Sequence, residues 1–151
     1  MSASTEYPAS PDGAQIPGAA MPATRLLVTE SQAKLYPVLC SALESTHYEI
    51  VSCETAADCL RRHKDCHVAL VDLFLDDLDG LSLLEELRLA RRDMPLIAFA
   101  CHERLREIEM SAEEVSIQAD GSGADAVYIA PFNLGELIAT LDRLTALTPA
   151  A

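Results

Sequence analysis

His67-Val68-Ala69-Leu70-Val71-Asp72 runs five residues, uncharged apart from a protonatable histidine, straight into a carboxylate. An uninterrupted apolar run of this length suits a strand covered on both faces, because neither side of it meets water. The loop Leu73-Phe74-Leu75-Asp76-Asp77-Leu78-Asp79-Gly80 follows, and a strongly amphipathic helix begins behind it. Asp72 therefore ends a buried strand at the rim of a sheet, where open α/β sheets place their ligand crevice. The plainer alternative is that Asp72 only caps the loop or the next helix.

Working outward, Thr24 to Thr29 carries Leu26-Leu27-Val28 and reads as a short buried strand. Ser31 offers an N-cap for a helix with the stripe Leu35, Val38, Leu39, Ala42 and Leu43. Pro37 fits that helix if the regular turns begin near Lys34, so that the proline falls in the first turn. Tyr48 to Cys53 is a second strand, and Thr55 caps a short helix through Ala56, Cys59 and Leu60. Gly80 to Arg92 is the clearest helix, with Leu81, Leu84, Leu87 and Leu89 along it. Glu85 and Glu86 lie toward its start and Arg91 and Arg92 at its end, as its dipole prefers. Pro95 to Cys101 and Ala126 to Ala130 are the last strands, and Asn133 caps a final helix through Leu134, Leu137, Ile138, Leu141 and Leu144. Strands alternating with helices predict a doubly wound five-stranded parallel sheet of the flavodoxin-like α/β class, with helices on both faces.

Two stretches break the pattern. Residues 1–23 are rich in Pro, Ala, Ser and Gly without hydrophobic periodicity, which predicts a disordered tail ahead of a domain over 24–148. His102 to Gly123 is acidic (Glu103, Glu107, Glu109, Glu113, Glu114, Asp120) with a weak apolar stripe, which predicts a loose or partly disordered segment.

The chain has 24 acidic and 11 basic residues, with Lys34 and Lys64 as its lysines, giving a net charge of −13. That balance disfavours nucleic-acid backbones and anionic membranes as partners and favours a metal cation or a basic protein surface. Five cysteines, an odd number without a secretory signal, point to a reduced, cytoplasmic chain. Cys59, His63, Cys66 and His67 lie close in sequence, yet their spacing matches no common zinc knuckle, and buried inert thiols are the simpler reading.

Three segments together resemble the receiver domain of two-component response regulators: VALVDLFLDDLDGLSLLEELR (Val68 to Arg88), MPLIAFA (Met94 to Ala100) and GADAVYIAPF (Gly123 to Phe132). The resemblance runs from about Arg25 to Leu147. It implies that Asp72 is the phosphoacceptor for a histidine kinase, and that Mg²⁺ would sit weakly between Glu30, Asp72 and the Phe74 carbonyl. It also implies a cis Ala130-Pro131 bond. Where the family carries an acidic pair, a Thr or Ser, an aromatic residue and a Lys, this chain has Thr29-Glu30, Ala100, Val127 and Ala130. Asp76 replaces a loop proline, and the stretch between the fourth and fifth strands is longer than usual. His102 or Arg104 is a candidate substitute cation.

The reading favoured is an atypical single-domain receiver, not an enzyme, that signals by binding a protein partner with an impaired or absent phospho-switch. The partner would be a histidine kinase or a downstream regulator, and a homodimer stays open. No output domain is expected to follow the last helix. The alternatives are a conventional receiver phosphorylated on Asp72, and a small Mg²⁺-dependent phosphoryl-transfer enzyme, for which no glycine-rich phosphate cradle is visible.

Overall fold

The computed structural model describes residues 23–31 and 34–147. Of the tail expected over residues 1–23, residues 1–22 lie outside them. Five strands, β1 (Thr24–Thr29), β2 (Tyr48–Cys53), β3 (Val68–Asp72), β4 (Leu96–Cys101) and β5 (Ala126–Ala130), form one sheet. Its order is β2-β1-β3-β4-β5, every pair parallel. This is the flavodoxin-like doubly wound arrangement, with β3 in the middle. The apolar run thus sits where both faces are covered, and Asp72 ends it at the carboxyl edge.

The period-2 alternation of the strands sorts the core into two layers. Leu27, Ala69, Val71 and Ala98 face α2 (Ala56–Arg62), α3 (Gly80–Ala90), α4 (His102–Glu107) and α5 (Ala112–Gly121). Leu26, Val28, Leu70 and Ile97 face α1 (Leu35–Leu43) and α6 (Leu134–Leu147). In α3 the core residues are Leu83, Leu84 and Leu87, each worth about 1.5–3 kcal/mol on full burial. Leu89, expected on the same stripe, is 83% exposed. At 100° per residue it falls nearly opposite the centre of that stripe.

Helix α1 starts at Leu35, so Pro37 lies in its first turn, where its missing N–H costs nothing. The cap is not Ser31. Glu30 reaches forward instead, and its carboxylate accepts from the amides of Leu35 (2.9 and 3.0 Å) and Tyr36 (2.7 Å). Pro37 has no donor, so these bonds serve the N–H groups of the first three helical residues.

The acidic stretch after β4 is not loose. It folds as α4 and α5, which bury Leu105, Val115 and Ala119. Glu109 ends α4 in the left-handed region at φ 55, with Met110 N–H on the Leu105 carbonyl and Glu109 N–H on that of Arg106. That is a Schellman closure. Ser111 and Glu114 then open α5 with a reciprocal capping box. Gly123 at φ 113 closes α5 by the same Schellman pattern. Arg88 fastens this corner, donating to the carbonyls of Met94 and Gly123 (2.8 and 2.6 Å) and to Asp125 (3.0 Å).

Candidate functional site

A cleft of about 360 Å³ opens at the carboxyl ends of β1, β3, β4 and β5. Asp72 stands in it, partly buried, with Oδ1 accepting from the Phe74 amide at 2.9 Å. The approach of α3 fixes this strand end. A Cβ on Gly80 would fall 2.5 Å from the Asp72 carbonyl oxygen and closer still to the Leu73 Cα, so glycine is required for α3 to begin there. Burial pushes the Asp72 carboxyl up to about 6, and Glu30 adds to the rise. The amides of Phe74 and Ser31 and the Arg104 guanidinium pull the other way.

The remaining acids do not gather around it. Asp76 and Asp77, in the loop after β3, are both exposed. Asp77 turns to the start of α2, where it accepts from the amides of Ala56 (2.9 Å) and Ala57 (3.1 Å). Those bonds hold its carboxyl below the usual range. Thr29 is fully buried with its hydroxyl beside the Cys59 thiol, on the α2 side of the sheet. Glu30 lines the cleft, yet its carboxylate is engaged as the cap of α1.

On the far wall, Ala130 lines the cleft and Ala100 is fully buried behind it. Neither brings a polar side-chain atom. Val127 pairs with Ala98 and belongs to the α3–α5 layer, while Tyr128, one residue on, faces α6 and bonds to Thr140. The aromatic ring of β5 is therefore on the opposite side of the sheet from Val127. The Ala130-Pro131 bond is cis.

Two cationic side chains line the cleft: Arg104 and Lys34. Arg104 stacks over the Phe74 ring at 5.1 Å and pairs with Glu107 at 3.4 Å. His102 is exposed and does not line the cleft. Lys34 escapes sequence reasoning because it sits beside α1, away from the strand-end motifs. Phe99 and Phe132 supply apolar walls.

A scan of protein-family models finds no match. Among curated proteins, the chain is 28% identical over 123 residues to the virulence transcriptional regulatory protein PhoP of Salmonella typhimurium, covering 80% of this chain and 51% of that protein. It is 29% identical over 121 residues to the transcriptional regulatory protein KdpE of Staphylococcus aureus, covering 78% and 48%. The chain spans about half the length of the curated relatives it matches. Among solved structures, a CheY-like response regulator receiver domain protein from Methanospirillum hungatei superposes with a TM-score of 0.70 at 25% identity, covering 82% of this chain and 94% of that one. A Francisella response regulator receiver domain gives 0.71 at 23%, covering 83% and 99%.

The chain is similar in fold to response-regulator receiver domains and in sequence to response regulators. Receiver domains are signalling modules that typically bind Mg²⁺ for phosphorylation. In this chain the donor set suits that ion poorly. Mg²⁺ wants hard oxygen ligands in near-octahedral array. Among the described residues no three metal-ligating side chains converge. Glu30 could reach an ion only by sharing or releasing the α1 amides. The cysteine and histidine cluster offers no zinc site either. Cys59 and Cys66 are core residues whose thiols burial pushes up, Cys59 to about 11. His67 Nδ1 accepts from the Arg25 amide at 2.9 Å, extending the β1–β3 edge.

Proposed function

We propose that this is an atypical receiver that signals by binding a protein partner in one standing conformation, without a phosphorylation-driven switch. The observation that carries the reading is the far wall of the cleft: Ala130 presents a methyl group there, with the Ala100 methyl buried behind it, where a phosphoryl group on Asp72 would need an ammonium and a hydroxyl. A ligand that makes no differential contact with two states cannot shift their populations. Each lost charge-assisted contact is worth roughly 1.5–3 kcal/mol. Phosphorylation would also turn the single charge of Asp72 into an acyl phosphate carrying nearly two, at a position where burial and Glu30 already disfavour one.

The binding face that the family resemblance suggests combines α4 and α5 with β5 and the outer side of α6. Glu103, Glu107, Glu109, Glu113, Glu114 and Asp120 are all exposed on the first two of these. A basic partner, a histidine kinase or a downstream regulator, would be steered to them. A cytoplasmic setting goes with this reading. Among the described residues no helix is long and apolar enough to cross a membrane.

A second reading, phosphorylation of Asp72 in the conventional way, is favoured by Arg104, which lines the same cleft and acts on the Asp72 carboxyl. Incubation with a small-molecule phosphodonor and Mg²⁺, read by intact mass, separates the two. The proposal expects no phosphoryl gain in wild type. A gain that disappears in Asp72→Ala establishes the conventional switch instead.

A further inference from the structure

The cleft has the size and walls of a ligand pocket, mostly apolar with a few polar groups. Phe74, Phe99 and Phe132 supply ring surface, Ala130 leaves open space, and Asp72 is the carboxylate in the interior. No lysine, arginine or histidine among the described residues lies within ion-pair distance of Asp72. Arg104 is drawn across the Phe74 ring toward Glu107, and Lys34 is an exposed side chain at the rim. Glu30 and Glu103 bring the lining to three acids against two bases. A half-buried carboxylate whose nearest acting cation, Arg104, stays outside ion-pair distance attracts a further cation, and the net charge of −13 concentrates cations near the surface. The apolar walls select the kind. A hydrated divalent ion gains nothing from ring surface, whereas an ammonium on an alkyl stem can donate to Asp72 and lay its methylenes and charge against the phenyl faces.

We propose that the cleft is a receptor for a primary alkylammonium group, seated between Asp72 and the space above Ala130, and supplied by a lysine side chain of the partner or by a free amine. This rests on the reading that Asp72 carries no phosphoryl group. The test titrates n-butylamine, n-butanol and Mg²⁺ separately into the ¹⁵N-labelled full chain and follows amide shifts. Butylamine should give saturable shifts centred on Phe74 and Ala130, weakened about tenfold or more in Asp72→Asn and lost in Ala130→Leu, and n-butanol should give none. Asp72→Asn keeps an oxygen for the Phe74 amide, and circular dichroism of both variants guards against misfolding. Butanol matching butylamine, or butylamine shifts that survive in both folded variants, overturns the proposal. Competition by an N-acetylated tetralysine peptide assigns the ammonium to lysine, and its failure to compete assigns it to a free amine. Intact mass after phosphodonor treatment is read in parallel, so a phosphorylated Asp72 refutes the preceding reading independently of the amine result.

Discussion

Replacing Asp72 by Asn should stabilise this domain, and the gain should vanish in acid. In the folded chain the Asp72 carboxyl is pushed from 3.8 up to about 6, chiefly by burial. The native state therefore holds that proton more tightly than the unfolded chain does. Above about pH 7 the native carboxylate is ionised and carries the full cost of its burial. Between about pH 6 and 4 the native state is protonated while the unfolded chain is not, so wild type gains relative stability as pH falls. Below the unfolded value the difference is gone. The displacement corresponds to about 3 kcal/mol. Solvent at the cleft mouth reduces it, so about 1–3 kcal/mol is expected at pH 7.5.

Asn is the informative replacement because it is nearly isosteric and can still accept from the Phe74 amide through an oxygen. Urea unfolding of both proteins at pH 7.5, 6, 5 and 4 isolates the contribution, since all other titrating groups cancel in the difference. At neutral pH the melting temperature should rise by about 4–12 °C in a domain of this size. A variant less stable than wild type at pH 7.5, or a difference that stays flat from pH 7.5 to 4, would refute the assignment of Asp72 as a carboxylate strained by burial.

Glu30→Ala should cost about 1–2 kcal/mol and fray the first turn of α1, seen as faster hydrogen exchange at Leu35 and Tyr36. Gly80→Ala should cost about 1–3 kcal/mol or more in urea unfolding, because its Cβ meets backbone rather than a yielding side chain. Arg88→Ala should cost about 2–4 kcal/mol by freeing the carbonyls of Met94 and Gly123 and the Asp125 carboxylate, and a loss below 0.5 kcal/mol would remove it as the fastener of that corner. Changing Glu107, Glu113 and Glu114 together to Gln should slow association with the partner and flatten its salt dependence, measured by stopped flow, while Asp72→Ala keeps the partner.

The sheet was legible because each strand carries its own evidence: apolar runs at 26–28, 68–71 and 96–100 need two covered faces, and the segments between them supply the crossovers. The bonds that shape the site were not, because they join residues that local patterns do not connect. Glu30 caps a helix that begins five residues later, past the serine that looks like the natural cap. Asp77 caps a helix that starts 21 residues before it. Both carboxylates are occupied with backbone amides. The stretch from His102 to Gly123 fails for a different reason. Its composition suggests looseness, but Ser111 and Glu114 spell a capping box that local rules can read. The weak stripe is one apolar seam interrupted by a Schellman closure, so no single helical period runs through it.

The features that distinguish this cleft have one common consequence. Alanine at 130 in the cleft wall, with Ala100 buried behind it, leaves no polar side chain there, and the capping role of Glu30 commits another lining carboxylate. What is left is a half-buried acid in apolar surroundings with its counter-charge displaced to Arg104, across the Phe74 ring. A phosphoryl group would add negative charge to a place already short of positive charge, whereas an approaching cation would relieve it. The sign of that imbalance, set against an acidic surface on α4 and α5, is what the basic partner proposed above would complement. It also explains why Asp72→Ala should leave that partner bound. Most of the attraction comes from the exposed acids, and removing Asp72 deletes one charge from the cleft without touching the face that first meets the partner.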